Sequence, residues 1–318
     1  MKSYPLKFKP IYKERIWGGN ALNTYFSKDL PEGVKIGESW ELTDLPGDHS
    51  EIVNGELAGK TIDQVLSMYP EKITGFKDYE GPFPLMIKLL DAQDVLSLQV
   101  HPDLETCKKT GKGDPKTECW YIVDKKEDAC IYKALKEGVT PEQFKEAVED
   151  GSCADFLKKV PVKVGECHFL PSGTVHAIGA GLLIAEIQQP SDTTYRVFDW
   201  NRVDAKTGQG RELHVKDALE SIHFDSSNDD LSVASTGRLV NAPEFNVDKG
   251  HRAAGNEVLI DAGKMRVIVA INGTGVIESA DSEVEKFTFK CGDTFLIPAD
   301  FTGTLIAKEE IEYLVVTL

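Results

Sequence analysis

Leu96-Ser97-Leu98-Gln99-Val100-His101-Pro102-Asp103 alternates apolar and polar side chains. The period of two in a strand therefore sets Ser97, Gln99 and His101 on one face and Leu96, Leu98 and Val100 on the other. A buried strand rarely lines up three polar groups. An amide oxygen and an imidazole side by side are metal donors once a carboxylate and a second imidazole approach from neighbouring strands. The segment thus predicts a β-fold in which one strand face serves the core and the other a site.

Outward from it, short apolar runs follow one another: Leu85 to Leu90, Val95 to Val100, Cys119 to Val123, Ala129 to Leu135, Cys167 to Leu170, Leu182 to Ile187 and Tyr195 to Trp200. Runs of this length with turn residues between them predict antiparallel strands of a sandwich or barrel, hence a mainly β fold. Two short helices interrupt them. Thr140-Pro141-Glu142-Gln143 places a cap, a first-turn Pro and a capping-box Gln ahead of Phe144 and Ala147, and Thr61 to Tyr69 predicts a second helix. The polar run from Asp225 to Leu231 reads as a linker, which divides the chain into 1–230 and 231–318.

Beyond the linker one segment repeats an earlier one. Lys163-Val164-Gly165-Glu166-Cys167-His168-Phe169-Leu170-Pro171 is echoed by Lys290-Cys291-Gly292-Asp293-Thr294-Phe295-Leu296-Ile297-Pro298. In both, a Gly-acid turn leads into an apolar strand ended by Pro, which suggests two copies of one β-fold. The second copy has Gly303 where the first has His176, and Met265 to Glu278 holds no Gln-x-His strand. We therefore expect 231–318 to be structural and without a metal site.

At 318 residues the chain can bury a core without disulfide or metal staples, so folding is not expected to depend on a metal. A formal net charge of -16 argues against nucleic acid or an anionic membrane as partner. An anionic small substrate stays open if cations gather locally. The six cysteines include no CxxC pair, which fits reduced thiols in a cytoplasmic protein. Met1 to Pro10 alternates Lys with apolar residues and carries no continuous apolar run, so neither a signal peptide nor a membrane span is expected there.

The metal set predicted from these residues is Gln99, His101, Glu118 (in Lys116-Thr117-Glu118-Cys119-Trp120-Tyr121) and His176 (in Pro171-Ser172-Gly173-Thr174-Val175-His176). Such a set leaves positions open for substrate or water. Further short motifs are Ile16-Trp17-Gly18-Gly19, Gly37-Glu38-Ser39-Trp40-Glu41, Gly173-Thr174-Val175-His176-Ala177-Ile178-Gly179 and Tyr195-Arg196-Val197. Taken in this order along most of the chain, these motifs resemble the type I mannose-6-phosphate isomerases, particularly their short bacterial form. The resemblance implies a cupin-type double-stranded β-helix, or jelly roll, present twice, and one Zn2+ on Gln99, His101, Glu118 and His176. It also implies interconversion of mannose 6-phosphate and fructose 6-phosphate, with a catalytic arginine at Arg196. Longer members carry His-Lys-Pro-Glu where this chain has Pro115-Lys116-Thr117-Glu118, so the role of that histidine does not transfer.

The reaction class also fits the residue types. Moving a proton between C1 and C2 through an enediolate needs an electrophile for the oxygens and a base for the carbon acid. A guanidinium stays protonated, which leaves Arg196 to stabilise enediolate charge or grip an oxygen. Glu186 and Gln188 share a strand face opposite Leu183, Ala185 and Ile187, making Glu186 a candidate base. Lys116, of the same parity as Glu118, is a candidate acid or base. Asp192 is a candidate partner that orients Arg196. With no glycine-rich phosphate loop present, isolated cations must hold a phosphate. Lys88, alone in an apolar strand, comes first, with Arg202 and Ser97 behind it. Trp17, Trp40, Trp120 and Trp200 read as core first, and Trp17 is the one carried as a sugar platform. The other histidines, His49, His168, His214, His223 and His251, show no partner spacing. Two rival readings share the donor set: a cupin iron(II) oxygenase built on a His-His-carboxylate triad, and a sugar-phosphate-binding protein without turnover. Lys116, Glu186 and Arg196 together favour the isomerase, because binding alone does not require all three.

Overall fold

The computed structural model describes residues 2–203, 208–225 and 233–318. The fold is mainly β, with a few short helices, and its sheets stack in layers. The central layer of the site-bearing half is a 6-stranded sheet in the order Cys167–Leu170, Glu118–Lys125, Leu182–Gln188, Met86–Ala92, Ile36–Leu42 and Ile11–Gly19. Facing it is a 5-stranded sheet ordered Leu157–Pro161, Cys130–Leu135, His176–Ile178, Leu98–Val100 and Tyr195–Phe198. Trp120, Ile122 and Ile184 from the first meet Ile131 and Ile178 from the second in a shared apolar cluster.

Strand alternation explains the remaining layers. The odd-numbered Leu183, Ala185 and Ile187 point away from the facing sheet and pack on Val267, Val269 and Leu314 of a second 6-stranded sheet, built mostly from the C-terminal part. That sheet covers a 4-stranded one through Phe295, Ile297 and Phe289. On the outer side of the 5-stranded sheet, Leu98 and Val100 bury against Phe144 and Ala147 of helix Pro141–Asp150 and Ala218 of helix Val215–Ser221. Burying each large side chain in this way contributes about 1.5–3 kcal/mol.

Both expected helices form where their caps lie. Thr140 accepts from the Gln143 backbone while the Gln143 side chain accepts from the Thr140 backbone, and Pro141 occupies the first turn. Ile62–Met68 starts on a capping box from Thr61 and Gln64. The repeated turn is built the same way twice: Gly165 and Gly292 have φ of 88° and 85°, where a side chain would be strained. In each copy the acid's carboxylate accepts from the lysine backbone three residues earlier, at 2.8 Å for Glu166 to Lys163 and 3.0 Å for Asp293 to Lys290. His176 and Gly303 each begin a strand.

Two features differ from the sequence expectations. The alternation read from Leu96 starts only at Leu98; Leu96 precedes the pleat and packs with the inner cluster, on the same side as Ser97. The N-terminal Leu6–Lys7 pairs with Leu296 and Phe295, so the start of the chain closes an edge of the C-terminal sheet. Of the expected linker, residues 226–231 lie outside the described residues. All six cysteines are free. No helix among the described residues is long and apolar enough to cross a membrane.

Candidate active site

Cross-strand register assembles the site as two facing rows. In the 5-stranded sheet, Lys133, His176, Gln99 and Arg196 lie directly opposite one another in turn. In the 6-stranded sheet, His168, Trp120, Glu186, Lys88 and Trp40 do the same. Directly opposed residues share a face, so each row presents its polar groups to the other. Two residues along the same two strands as Trp120 and Glu186, Glu118 opposes Gln188.

His101, Glu118 and His176 are buried, with donor atoms within 4.8 Å of one another. Glu118 Oε2 lies 3.5 Å from His101 Nε2, and Glu118 Oε1 lies 3.4 Å from His176 Nε2. The Gln99 amide borders the same space, its Nε2 3.5 Å from His176 Nε2; half a turn of the amide presents its oxygen instead. The Nδ1 atoms of His101 and His176 each lie 2.8 Å from a backbone carbonyl, of Thr193 and Thr174. Donation to these carbonyls fixes the tautomer and leaves each Nε2 lone pair facing inward.

His101 Nε2 and both Glu118 carboxylate oxygens are fully buried yet have no hydrogen-bond partner. Lys116 Nζ is 2.9 Å from Glu118 Oε2 as an ion pair out of hydrogen-bonding alignment. Burial, then Lys116, pushes His101 down to about 4. Burial also lowers His176. Burial alone would raise the Glu118 carboxyl, but Lys116 and the two histidines outweigh it and hold it well below the usual range. Two neutral imidazoles and a carboxylate with converging lone pairs, those of His101 and Glu118 without a hydrogen-bond partner, fit a divalent metal, since orphaned buried acceptors are otherwise costly.

Next to this cluster a cavity of about 470 Å³ is lined by Ser97, Gln99, Lys116, Glu186, Asp192 and Arg196, with Lys88 and Trp17 also on its wall. Arg196 donates from Nε to Ser97 Oγ at 3.3 Å and from a terminal nitrogen to the Glu212 carbonyl at 2.8 Å. Burial, then Arg211, pulls its guanidinium below the ordinary value. Glu186 holds Lys88 Nζ at 3.1 Å and accepts from Trp120 Nε1 at 2.9 Å. Burial would lower the Lys88 ammonium, but Glu186 and Glu38 outweigh it and raise it.

A family model described as phosphomannose isomerase type I, catalytic domain, matches residues 6–124. Mannose-6-phosphate isomerase ManA of Bacillus subtilis is 37% identical over 307 residues, covering 94% of each chain. The chain belongs to the type I phosphomannose isomerase family. A probable mannose-6-phosphate isomerase of the same organism is 45% identical over 221 residues, 69% of each chain. The crystal structure of the mannose 6-phosphate isomerase from Bacillus subtilis superposes with a TM-score of 0.86 at 30% identity and full coverage of both chains.

Within this member of the type I phosphomannose isomerase family, some sequence expectations need correction. Asp192 lines the cavity but does not bond Arg196, which Ser97 and the Glu212 carbonyl hold instead. Arg202 turns to Asp199, to the Val95 carbonyl at 2.6 Å and to Asp94, bracing a turn rather than facing the cavity. Trp17 serves both readings, being buried in the inner cluster with one edge on the cavity. Arg15, Glu38 and Arg211 also line the cavity and were missed. Arg15 pairs with Glu38 at 2.6 Å, and Arg211 forms a two-pronged contact with Asp199. Glu38, a charge in the buried strand Ile36–Leu42, shares a face with Trp40 and so carried a usable signal; Arg211, in an irregular segment, carried none.

Proposed function

We propose that the protein interconverts mannose 6-phosphate and fructose 6-phosphate through an enediolate. One observation carries the reading: a cavity of about 470 Å³ lies beside buried metal-type donors without hydrogen-bond partners and has guanidinium groups in its wall. Arg196, Arg202 and Arg211 are near neighbours, with Asp199 between Arg202 and Arg211, Asp94 on Arg202, and Glu212 near Arg196. A guanidinium that faces the cavity offers the planar fork suited to a phosphate dianion. Arg211 faces the cavity and takes the phosphate, with Lys88 deeper on the wall, while Arg196, held by Ser97, takes the reacting oxygens. Asp192 and Trp17 border the sugar.

Gln99, His101, Glu118 and His176 would hold one zinc ion, which when bound supplies Lewis acidity toward the sugar oxygens. Proton transfer between C2 and C1 falls to Lys116 and Glu186, the two groups on the cavity wall with exchangeable protons or basic oxygens beside the donor cluster. Arg196, fixed at 2.8 Å on the Glu212 carbonyl, is preorganised to offset negative charge growing on the substrate oxygens. Exclusion of water follows from the burial of Lys116, Glu118 and Glu186.

We read the site-bearing part, residues 1–230, and the metal-free part, 231–318, as two cupin-type double-stranded β-helices; the turn built alike in both supports this. A cytoplasmic location follows from the substrate, because a sugar phosphate dianion does not cross membranes. The test is conversion of mannose 6-phosphate in D2O, followed by proton NMR. Conversion with deuterium incorporated at C1 of fructose 6-phosphate supports the enediolate route; absence of conversion contradicts the reading.

A further inference from the structure

Helix Val215–Ser221 has a histidine just outside each end, His214 and His223, and both touch the site's supports. At its start, the His214 backbone donates to the Arg196 carbonyl at 2.8 Å and His214 Nδ1 accepts from the Arg196 backbone at 3.2 Å. At its end, His223 reaches two loops at once. Its Nε2 is 2.9 Å from Asp103 Oδ2, two residues past the metal-type ligand His101. Its backbone donates to the Gly173 carbonyl at 2.9 Å, three residues before His176. The ring lies flat on Gly173, where an added Cβ would come within 2.5 Å of it, and Gly173 has φ of 85°. Gly173 in turn donates to the His101 carbonyl at 2.8 Å.

From this we infer that His223 is a positioning residue for the metal: it ties the His101 loop to the His176 loop and so sets the spacing of the two imidazoles. The inference rests on the metal reading above, not on the reaction assigned to the cavity. His101 and His176 leave from different strands, and their ring centroids are 4.9 Å apart. Their Nδ1 carbonyl contacts orient each ring locally, but those carbonyls lie on different segments, Thr193 and Thr174. The chain His101 carbonyl, Gly173, His223, Asp103 closes a loop around both ligand segments. Asp103 is itself fixed, because its other oxygen caps helix Leu104–Thr110 by accepting from the Thr106 backbone at 2.6 Å. Groups that orient metal ligands from behind typically change affinity 10- to 100-fold when removed.

The experiment is zinc affinity, measured by competition with a chromogenic chelator on wild type, His223→Ala and His223→Gln. Each is first checked for folding by far-UV circular dichroism and kept well below its melting transition. His223→Ala is expected to bind zinc about 3- to 10-fold more weakly, less than the loss of a group bonded to a ligand itself. His223→Gln, whose amide N–H reaches toward Asp103 as the imidazole does, is expected to recover most of that loss, which general softening of the fold would not produce. Zinc affinity of His223→Ala within about twofold of wild type overturns the inference, as does a Gln variant no better than Ala. Wild type that fails to bind zinc overturns the metal reading itself, and the inference with it.

Discussion

Arg211→Ala removes the guanidinium assigned to the phosphate, while Asp199 keeps Arg202 as partner. The variant should stay folded, with stability within about 1 kcal/mol of wild type, because Arg211 is partly exposed and its loss leaves no buried charge alone. A charge-assisted contact to phosphate contributes about 1.5–3 kcal/mol. That corresponds to a fall in kcat/KM for mannose 6-phosphate of about 10- to 150-fold. The phosphate is gripped alike in ground and transition states, so the loss belongs mostly in KM. Initial rates of ketose formation are compared for mannose 6-phosphate and unphosphorylated mannose, with inorganic phosphate as inhibitor. Mannose should change by less than about twofold, and phosphate inhibition should weaken by the same factor as substrate binding. An equal fall for both sugars would refute the assignment, because the loss would then not depend on the phosphate.

His176→Ala should lower bound zinc from one per chain to nearly none and reduce turnover by about 100-fold or more, while apo protein melts within a few degrees of wild-type apo protein; metal analysis and thermal melts check both. Arg196→Lys should keep zinc but lose at least about 100-fold in kcat, since an ammonium reproduces neither the fork nor its hold on Ser97 and the Glu212 carbonyl. His168, buried with Nε2 3.4 Å from Glu166, is pushed down to about 4 by burial and then Lys133, against the pull of Glu166. Its unfolded value is about 6.5, so folding stability is full above that and is lost as pH falls toward 4, by about 2 kcal/mol near pH 5. Urea melts of His168→Gln should lack that part of the pH slope, and an unchanged slope would contradict the linkage.

The parts legible in the sequence are those governed by local rules. Capping boxes at Thr61 and Thr140 state where helices begin, and the polar residues Gln99, Glu118 and Glu186 stand out because their strands are otherwise apolar. Register then does what no single strand can show, lining up Lys133, His176, Gln99 and Arg196 across four strands. The misread residues depend on partners far along the chain. Arg202 and Arg211 are both basic residues in irregular segments and both reach Asp199; the further contacts of Arg202 to Asp94 and the Val95 carbonyl distinguish it from the one that lines the cavity. Leu96 looked like the first residue of a pleat that starts two residues later. His214 and His223 have no periodicity to betray them; their meaning comes from a helix that spans between the arginine strand and the metal-type loops.

The most direct test of the central claim is conversion of mannose 6-phosphate to fructose 6-phosphate by purified protein, measured before chelation, after chelation and after zinc is restored. The account predicts turnover that falls to background on chelation and returns with zinc. Absence of conversion in a protein that binds one metal per chain would contradict it and leave a metal-bearing fold put to another use.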